Sequence, residues 1–79
     1  MKILSILGST GSIGVNTLDI VRKNPDRFKV AAMTAGNNVD LFAQQVKEFK
    51  PSLVSIFNSS KVSILEELLQ GQDVEILSG

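Results

Sequence analysis

Cysteine, histidine, tryptophan and tyrosine are all missing from this sequence of 79 residues. Without cysteine there is no disulfide framework, no thiolate zinc site and no thiol nucleophile. Without histidine and tyrosine the usual general bases and nucleophile partners are mostly gone as well. No catalytic or metal-ligating residue is therefore expected in this stretch. Charge of one sign is not in excess: eight Lys and Arg balance eight Asp and Glu. Such a balance exerts no long-range pull toward nucleic acid or acidic membranes. Long hydrophobic runs are also lacking. The run from Ile3 to Leu7 is broken by Ser5 and is shorter than the ~7–15 apolar residues of a secretion signal. Nothing approaches the ~20 apolar residues of a membrane span. A cytoplasmic location is the expectation. The chain is short against the ~100–200 residues of a typical domain, and short chains bury a small share of their surface. What is present is ordinary for a globular piece, with 43% hydrophobic residues, 20% charged residues and two prolines.

Short apolar runs alternate with longer periodic ones. Lys2–Leu7 reads as a buried strand ending at a glycine-rich turn. Ser12–Asn24 reads as a helix, with Ile13, Thr17, Ile20 and Val21 at helical spacing, stopped before Pro25. Phe28–Ala35 is a second strand ending at Gly36, and Asn38 is placed to cap the next helix. That helix covers about Val39–Lys50, with Val39, Phe42, Val46 and Phe49 on one face and Pro51 behind it. Leu53–Phe57 is a third strand, followed by the turn and capping cluster Asn58-Ser59-Ser60. Lys61–Gln70 is a third helix, facing Val62, Leu65, Leu68 and Leu69 inward and stopping at Gly71. Val74–Leu77 is a fourth strand. Strand–helix alternation with four strands and three helices predicts right-handed crossovers and parallel pairing, an α/β fold of the doubly wound, Rossmann-like kind. Apolar strands of this type suit a sheet covered on both faces. Residues 1–79 read as the first part of a larger dinucleotide-binding domain.

The informative segment is Leu7-Gly8-Ser9-Thr10-Gly11-Ser12-Ile13-Gly14. It joins the first strand to the first helix. The chain must turn sharply there, the backbone must approach a bulky anion, and the helix must pack tightly on its strand. Glycine permits all three. Unpaired amides and the positive dipole end at the helix start then hold a diphosphate. Ser9, Thr10 and Ser12 are expected to add hydroxyl donors at the same mouth. The spacing is Gly-x-x-Gly-x-x-Gly rather than the more common Gly-x-Gly-x-x-Gly, but strand before and helix after supply the confirming context. A P-loop is excluded, since no Gly-Lys-Ser/Thr follows. The bland alternative is a turn that only connects two elements. At the end of the second strand an NAD site usually places a carboxylate for the ribose hydroxyls. Here the sequence is Met33-Thr34-Ala35-Gly36-Asn37-Asn38, with no carboxylate to repel a 2′-phosphate. NADPH is the preferred cofactor on that ground, although nothing basic stands in the loop.

LGSTGSIG, then Asn16-Thr17-Leu18-Asp19-Ile20-Val21, Asn24-Pro25-Asp26-Arg27-Phe28 and Ala35-Gly36-Asn37-Asn38-Val39, together closely resemble the start of the 1-deoxy-D-xylulose 5-phosphate reductoisomerase family. The resemblance runs over essentially the whole chain and about the first fifth of such an enzyme. It implies an NADPH-dependent oxidoreductase that isomerises 1-deoxy-D-xylulose 5-phosphate and reduces the product to 2-C-methyl-D-erythritol 4-phosphate, in the methylerythritol phosphate route to isoprenoids. It also implies a divalent metal, magnesium or manganese, held by residues outside this segment, and a homodimer. By the same match, Thr10, Gly11, Ser12 and Ile13 contact the cofactor diphosphate, and Gly36, Asn37 and Asn38 lie at the adenosine ribose and its 2′-phosphate. The family commonly carries Lys or Arg where this chain has Asn37. A cation there would pair with the 2′-phosphate, whereas Asn37 offers a neutral hydrogen bond.

Other residues have plainer readings. Glu66-Glu67 point about 100° apart on a helix and do not converge on a metal. They read as a solvated face, as do Asp19 and Asp26. Asp40 suits the first turn of its helix, and Phe42 and Phe49 suit the core. Two other functions use a similar glycine turn. An aspartate-semialdehyde-type dehydrogenase would need a thiol nucleophile further along the chain. A non-catalytic dinucleotide-sensing domain would bind the nucleotide without turnover.

Overall fold

The computed structural model describes residues 1–78. Four strands, β1 (Lys2–Ile6), β2 (Phe28–Ala35), β3 (Leu53–Ile56) and β4 (Glu75–Ser78), alternate with three α-helices, α1 (Ser12–Lys23), α2 (Val39–Phe49) and α3 (Val62–Leu68). All pairings are parallel and the strand order is β1-β2-β3-β4. Each connection therefore steps to the next strand in one direction. Right-handed crossovers then place the three helices on one face of the sheet, the first winding of the expected α/β fold. Burial follows from this. Ile6, Val30, Met33, Ala35, Val54 and Ile56 on the covered face join Leu18, Val21, Phe42, Val46, Leu65 and Leu69 from the helices in one core. On the other face Ile3 is 70% and Leu77 45% exposed, so among the described residues no second layer covers it.

The alternation in β2 has one break. The register with β1 shifts between Leu4 and Ser5, so that Leu4 pairs with Val30 and Ser5 with Ala32. The extra residue, Ala31, has its carbonyl turned toward β3, where it accepts from Ser52 N at 3.0 Å and Ser52 Oγ at 3.3 Å.

Helix α1 turns a different stripe inward from the one its apolar spacing predicts. Gly14, Leu18 and Val21 are buried, whereas Ile13 is 82% and Ile20 54% exposed. Positions 14, 18 and 21 also form a helical stripe, and only the side with Gly14 can lie against the turn that follows β1. Thr17, also expected inward, is only half-buried, and its hydroxyl donates to Ile13 O at 2.9 Å. Helix α2 faces as its sequence predicts. Asn38 Oδ1 accepts from Leu41 N at 3.3 Å, and Lys50 ends the helix in the left-handed region at φ 51°, just before Pro51. Helix α3 is shorter than expected. Of the expected Lys61–Gln70, Lys61 falls in a 3₁₀ turn, Ser59–Lys61, capped by Asn58, the helix ends at Leu68, and the chain turns away at Gly71 with φ 85°. Helices α1 and α2 are tied at the surface by Arg22. Its Nη2 donates to Glu48 Oε1 at 2.8 Å and its Nε to Glu48 Oε2, and its guanidinium lies over the Phe49 ring at 5.3 Å.

Because the strands are parallel, their C-terminal ends share one edge. The β1–α1, β2–α2 and β3–α3 loops all open there.

Candidate functional site

Three glycines shape the β1–α1 loop in distinct ways. Gly8 adopts φ 67°, a conformation that costs other residues about 1–2 kcal/mol. Its N–H donates to Thr34 Oγ1 at 3.0 Å, and Ser9 N donates to Thr34 O at 2.9 Å. The end of β1 is thereby pinned to the end of β2. A Cβ on Gly14 would stand 2.3 Å from Gly8 O and 2.6 Å from Ser9 Cα. Only glycine lets α1 start against its own strand. Gly11 is different. It has φ −78° and ψ 170°, open to any residue, and a Cβ there would meet Gly8 O at an ordinary 3.4 Å. Neither backbone nor packing requires glycine at 11, so the reason left is clear space above the amides.

Those amides are unclaimed. Helix α1 has no side-chain cap and no acidic residue in its first turn. Gly11 N donates back to Gly8 O at 3.0 Å, while among the described residues the N–H groups of Ser12, Ile13 and Gly14 have no protein partner. Such a terminus carries partial positive charge and convergent donors. Helix α2 is the contrast: its terminus has the Asn38 cap and Asp40 in the first turn. An anion at this edge is therefore best served at α1. Thr10 is half-buried beside the terminus, and Ser12 and Ile13 are exposed on it.

The second loop lies one strand away. Gly36 again has no positive φ and open space where a Cβ would be. Asn37 is exposed and its Oδ1 accepts from Asn58 Nδ2 at 2.8 Å. Asn38 has its side-chain oxygen engaged as the α2 cap. The structure thus brings Thr10–Ile13 and Gly36–Asn38 to neighbouring loops of one sheet edge, about one ~4.8 Å strand spacing apart. An uncapped helix start with a bare glycine before it, and a second bare glycine next door, fit a diphosphate-bridged nucleotide.

Ser9 departs from its expectation. It is fully buried, and its hydroxyl donates to Gln45 Oε1 at 2.7 Å while Gln45 Nε2 donates to Ser9 O at 2.8 Å. Ser9 supports the loop from behind and offers no hydroxyl to a ligand. Gln45 and Thr34 were not singled out from the sequence. Gln45 is a polar residue three positions after Phe42 on the apolar stripe of α2, which was the available signal. The carboxylates Glu66 and Glu67 are exposed, and no cluster of three or more potential metal ligands occurs among the described residues. Among the described residues no helix is long and apolar enough to cross a membrane.

The family model described as 1-deoxy-D-xylulose 5-phosphate reductoisomerase matches residues 4–79. The reductoisomerase of Geotalea uraniireducens is 53% identical over 79 residues, covering 100% of this chain and 20% of its own length. The chloroplastic reductoisomerase of Mentha piperita is 55% identical over 80 residues, covering 99% of this chain and 17% of its own. Among solved structures, the Zymomonas mobilis reductoisomerase in complex with NADPH gives a TM-score of 0.93 at 38% identity, over 99% of this chain and 21% of that one. A reductoisomerase in complex with NADPH, fosmidomycin and magnesium gives 0.93 at 36% identity, over 100% and 20%. The chain spans about a fifth of the length of the curated relatives it matches.

Proposed function

This chain belongs to the 1-deoxy-D-xylulose 5-phosphate reductoisomerase family, and on that premise we propose that residues 1–79 are the N-terminal part of its NADPH-binding domain. The protein they belong to isomerises and reduces 1-deoxy-D-xylulose 5-phosphate to 2-C-methyl-D-erythritol 4-phosphate, as a cytoplasmic homodimer. Bound NADPH supplies the hydride for that reduction. The carrying observation is the uncapped start of α1 beneath Gly11, at an edge shared with the bare Gly36.

The chain's own residues bind and orient. The amides of Ser12 and Ile13 and the neighbouring Thr10 hold the diphosphate, and Gly11 keeps its approach open. Gly36, Asn37 and Asn38 receive the adenosine ribose and its 2′-phosphate, Asn37 through a neutral amide where a cation is common in the family. The magnesium or manganese ion and the catalytic groups fall to residues outside this segment.

Isothermal titration of the complete protein with NADPH tests this reading. Gly11→Val puts a branched side chain over the amides, and we expect the dissociation constant to rise by about tenfold or more, a loss on the order of 1.4 kcal/mol. An unchanged constant in a folded variant overturns the placement of the diphosphate.

A further inference from the structure

Resting on that reading of the site, we infer that Asn58, at the start of the β3–α3 loop, is a positioning residue that decides which end of the Asn37 amide faces the cofactor's ribose phosphate. An amide side chain can present either oxygen or nitrogen, and its orientation is fixed only by its partners. Here the partners leave one solution. Ser60 N–H can only donate, and it lies 3.1 Å from Asn58 Oδ1. The Ser60 hydroxyl reaches the same atom at 2.6 Å. The oxygen of Asn58 is thus committed to its own loop, and its nitrogen is the atom turned toward β2. That nitrogen stands 2.8 Å from the Asn37 side chain, where only an oxygen can accept it. The NH2 of Asn37 is therefore the free end, with no protein partner among the described residues.

The two loops are held in this relation by backbone as well. Phe57 N donates to Ala35 O at 2.8 Å and Asn58 N to Gly36 O at 3.1 Å. Position 37 thus presents a donor pair of defined direction to an anion. With the amide reversed, an oxygen would meet the phosphate oxygens and repel them. A pre-set donor loses little freedom when the ligand arrives, which partly offsets the lack of a cation. The neighbouring loops, residues 36–38 and 57–61, contain no carboxylate and one cation, Lys61.

The test compares NADPH with NADH, which lacks the 2′-phosphate, by titration of the complete protein. Asn58→Asp keeps the oxygen that caps Ser60 but has no hydrogen to give Asn37, whose NH2 then turns toward the new carboxylate. The expected result is a rise of about tenfold in the NADPH dissociation constant, with a change of less than about twofold for NADH. Asn58→Ala should weaken NADPH selectively as well, and should add nothing in an Asn37→Ala background. These alanine variants carry the test should the thermal transition show that Asn58→Asp fails to fold. Equal weakening of both nucleotides, or an Asn58→Ala effect undiminished when Asn37 is alanine, overturns the inference while leaving the site itself standing. A wild-type protein that binds neither nucleotide overturns the site, and the inference with it.

Discussion

Gly11 and Gly14 stand one helical turn apart and are glycine for opposite reasons. Gly14 is closed in by backbone, its would-be Cβ 2.3 Å from Gly8 O, whereas a Cβ on Gly11 would meet Gly8 O at an ordinary 3.4 Å. The two substitutions to alanine should therefore separate stability from binding. Gly14→Ala is expected to destabilise the fold by about 1–3 kcal/mol, the usual cost of overpacking where the neighbours cannot yield. Gly11→Ala should change stability by less than about 1 kcal/mol, the scale of an N-cap exchange, yet still weaken NADPH. Urea denaturation paired with nucleotide titration checks both, and a reversed pattern would mean the glycine roles are misassigned. The glycine spacing was readable in the sequence because it is local. Which glycine does which task was not, because that depends on where the Gly8 carbonyl comes to lie.

At the scale of elements, the site depends on contacts between residues far apart in the chain. Ser9 and Gln45, 36 positions apart, exchange two buried hydrogen bonds and so fasten the glycine loop to α2. Gln45→Leu leaves the Ser9 hydroxyl and carbonyl buried without partners. The expected loss is ~1–3 kcal/mol, with part of it recovered in Ser9→Ala/Gln45→Leu, since removing both polar side chains costs less than orphaning one. A double variant no more stable than Gln45→Leu alone would contradict this.

The Arg22–Glu48 pair joins α1 to α2 at the surface. Hydrogen bonding to the Arg22 guanidinium, with its charge, holds the Glu48 carboxyl below its ordinary 4.5 against a smaller opposing effect of burial. A carboxyl depressed in the folded state stabilises the fold above its unfolded value. That contribution is lost as pH falls through the lower folded value. Denaturation midpoints followed from pH 7 toward acid should therefore fall less steeply below about 4.5 in Glu48→Gln than in the wild type. Identical acid limbs would show that the pair is inert. Its side chains are 48% and 43% exposed, so salt should shrink the difference.

Most element boundaries were legible in the sequence because their signals are local: Pro25, Gly36, Asn38, Pro51 and Gly71 each act on the residue beside them. The stripe of α1 was not. Ile13 and Ile20 outrank Gly14 in apolarity, but the close approach of helix to turn decides the face.

For the whole molecule, the determining feature is that every strand points the same way and every crossover steps to the next strand. The β1–α1, β2–α2 and β3–α3 loops then lie side by side at one edge. That much follows from the strand–helix alternation alone, which is why the two loops proposed to bind the nucleotide are expected side by side from the sequence. The part played by Asn58 is not, since it requires β3 to lie beside β2 and the β3–α3 loop to reach across. The sheet face opposite the helices leaves Ile3 and Leu77 exposed. Binding to the native state alone should raise the thermal transition of the complete protein. NADPH at about a hundred times its dissociation constant adds ~2.7 kcal/mol, and NADH at the same concentration should add less. Equal shifts would show that the 2′-phosphate is not recognised.

The central claim is that backbone donors at the start of α1 hold the cofactor's diphosphate. A crystal structure of the complete protein with NADPH measures it directly, through the distances from the diphosphate oxygens to the nitrogens of Ser12 and Ile13. We expect at least one oxygen within ~2.7–3.2 Å of these nitrogens, with no side chain between. A diphosphate lying over another loop, with both amides facing water, would contradict it.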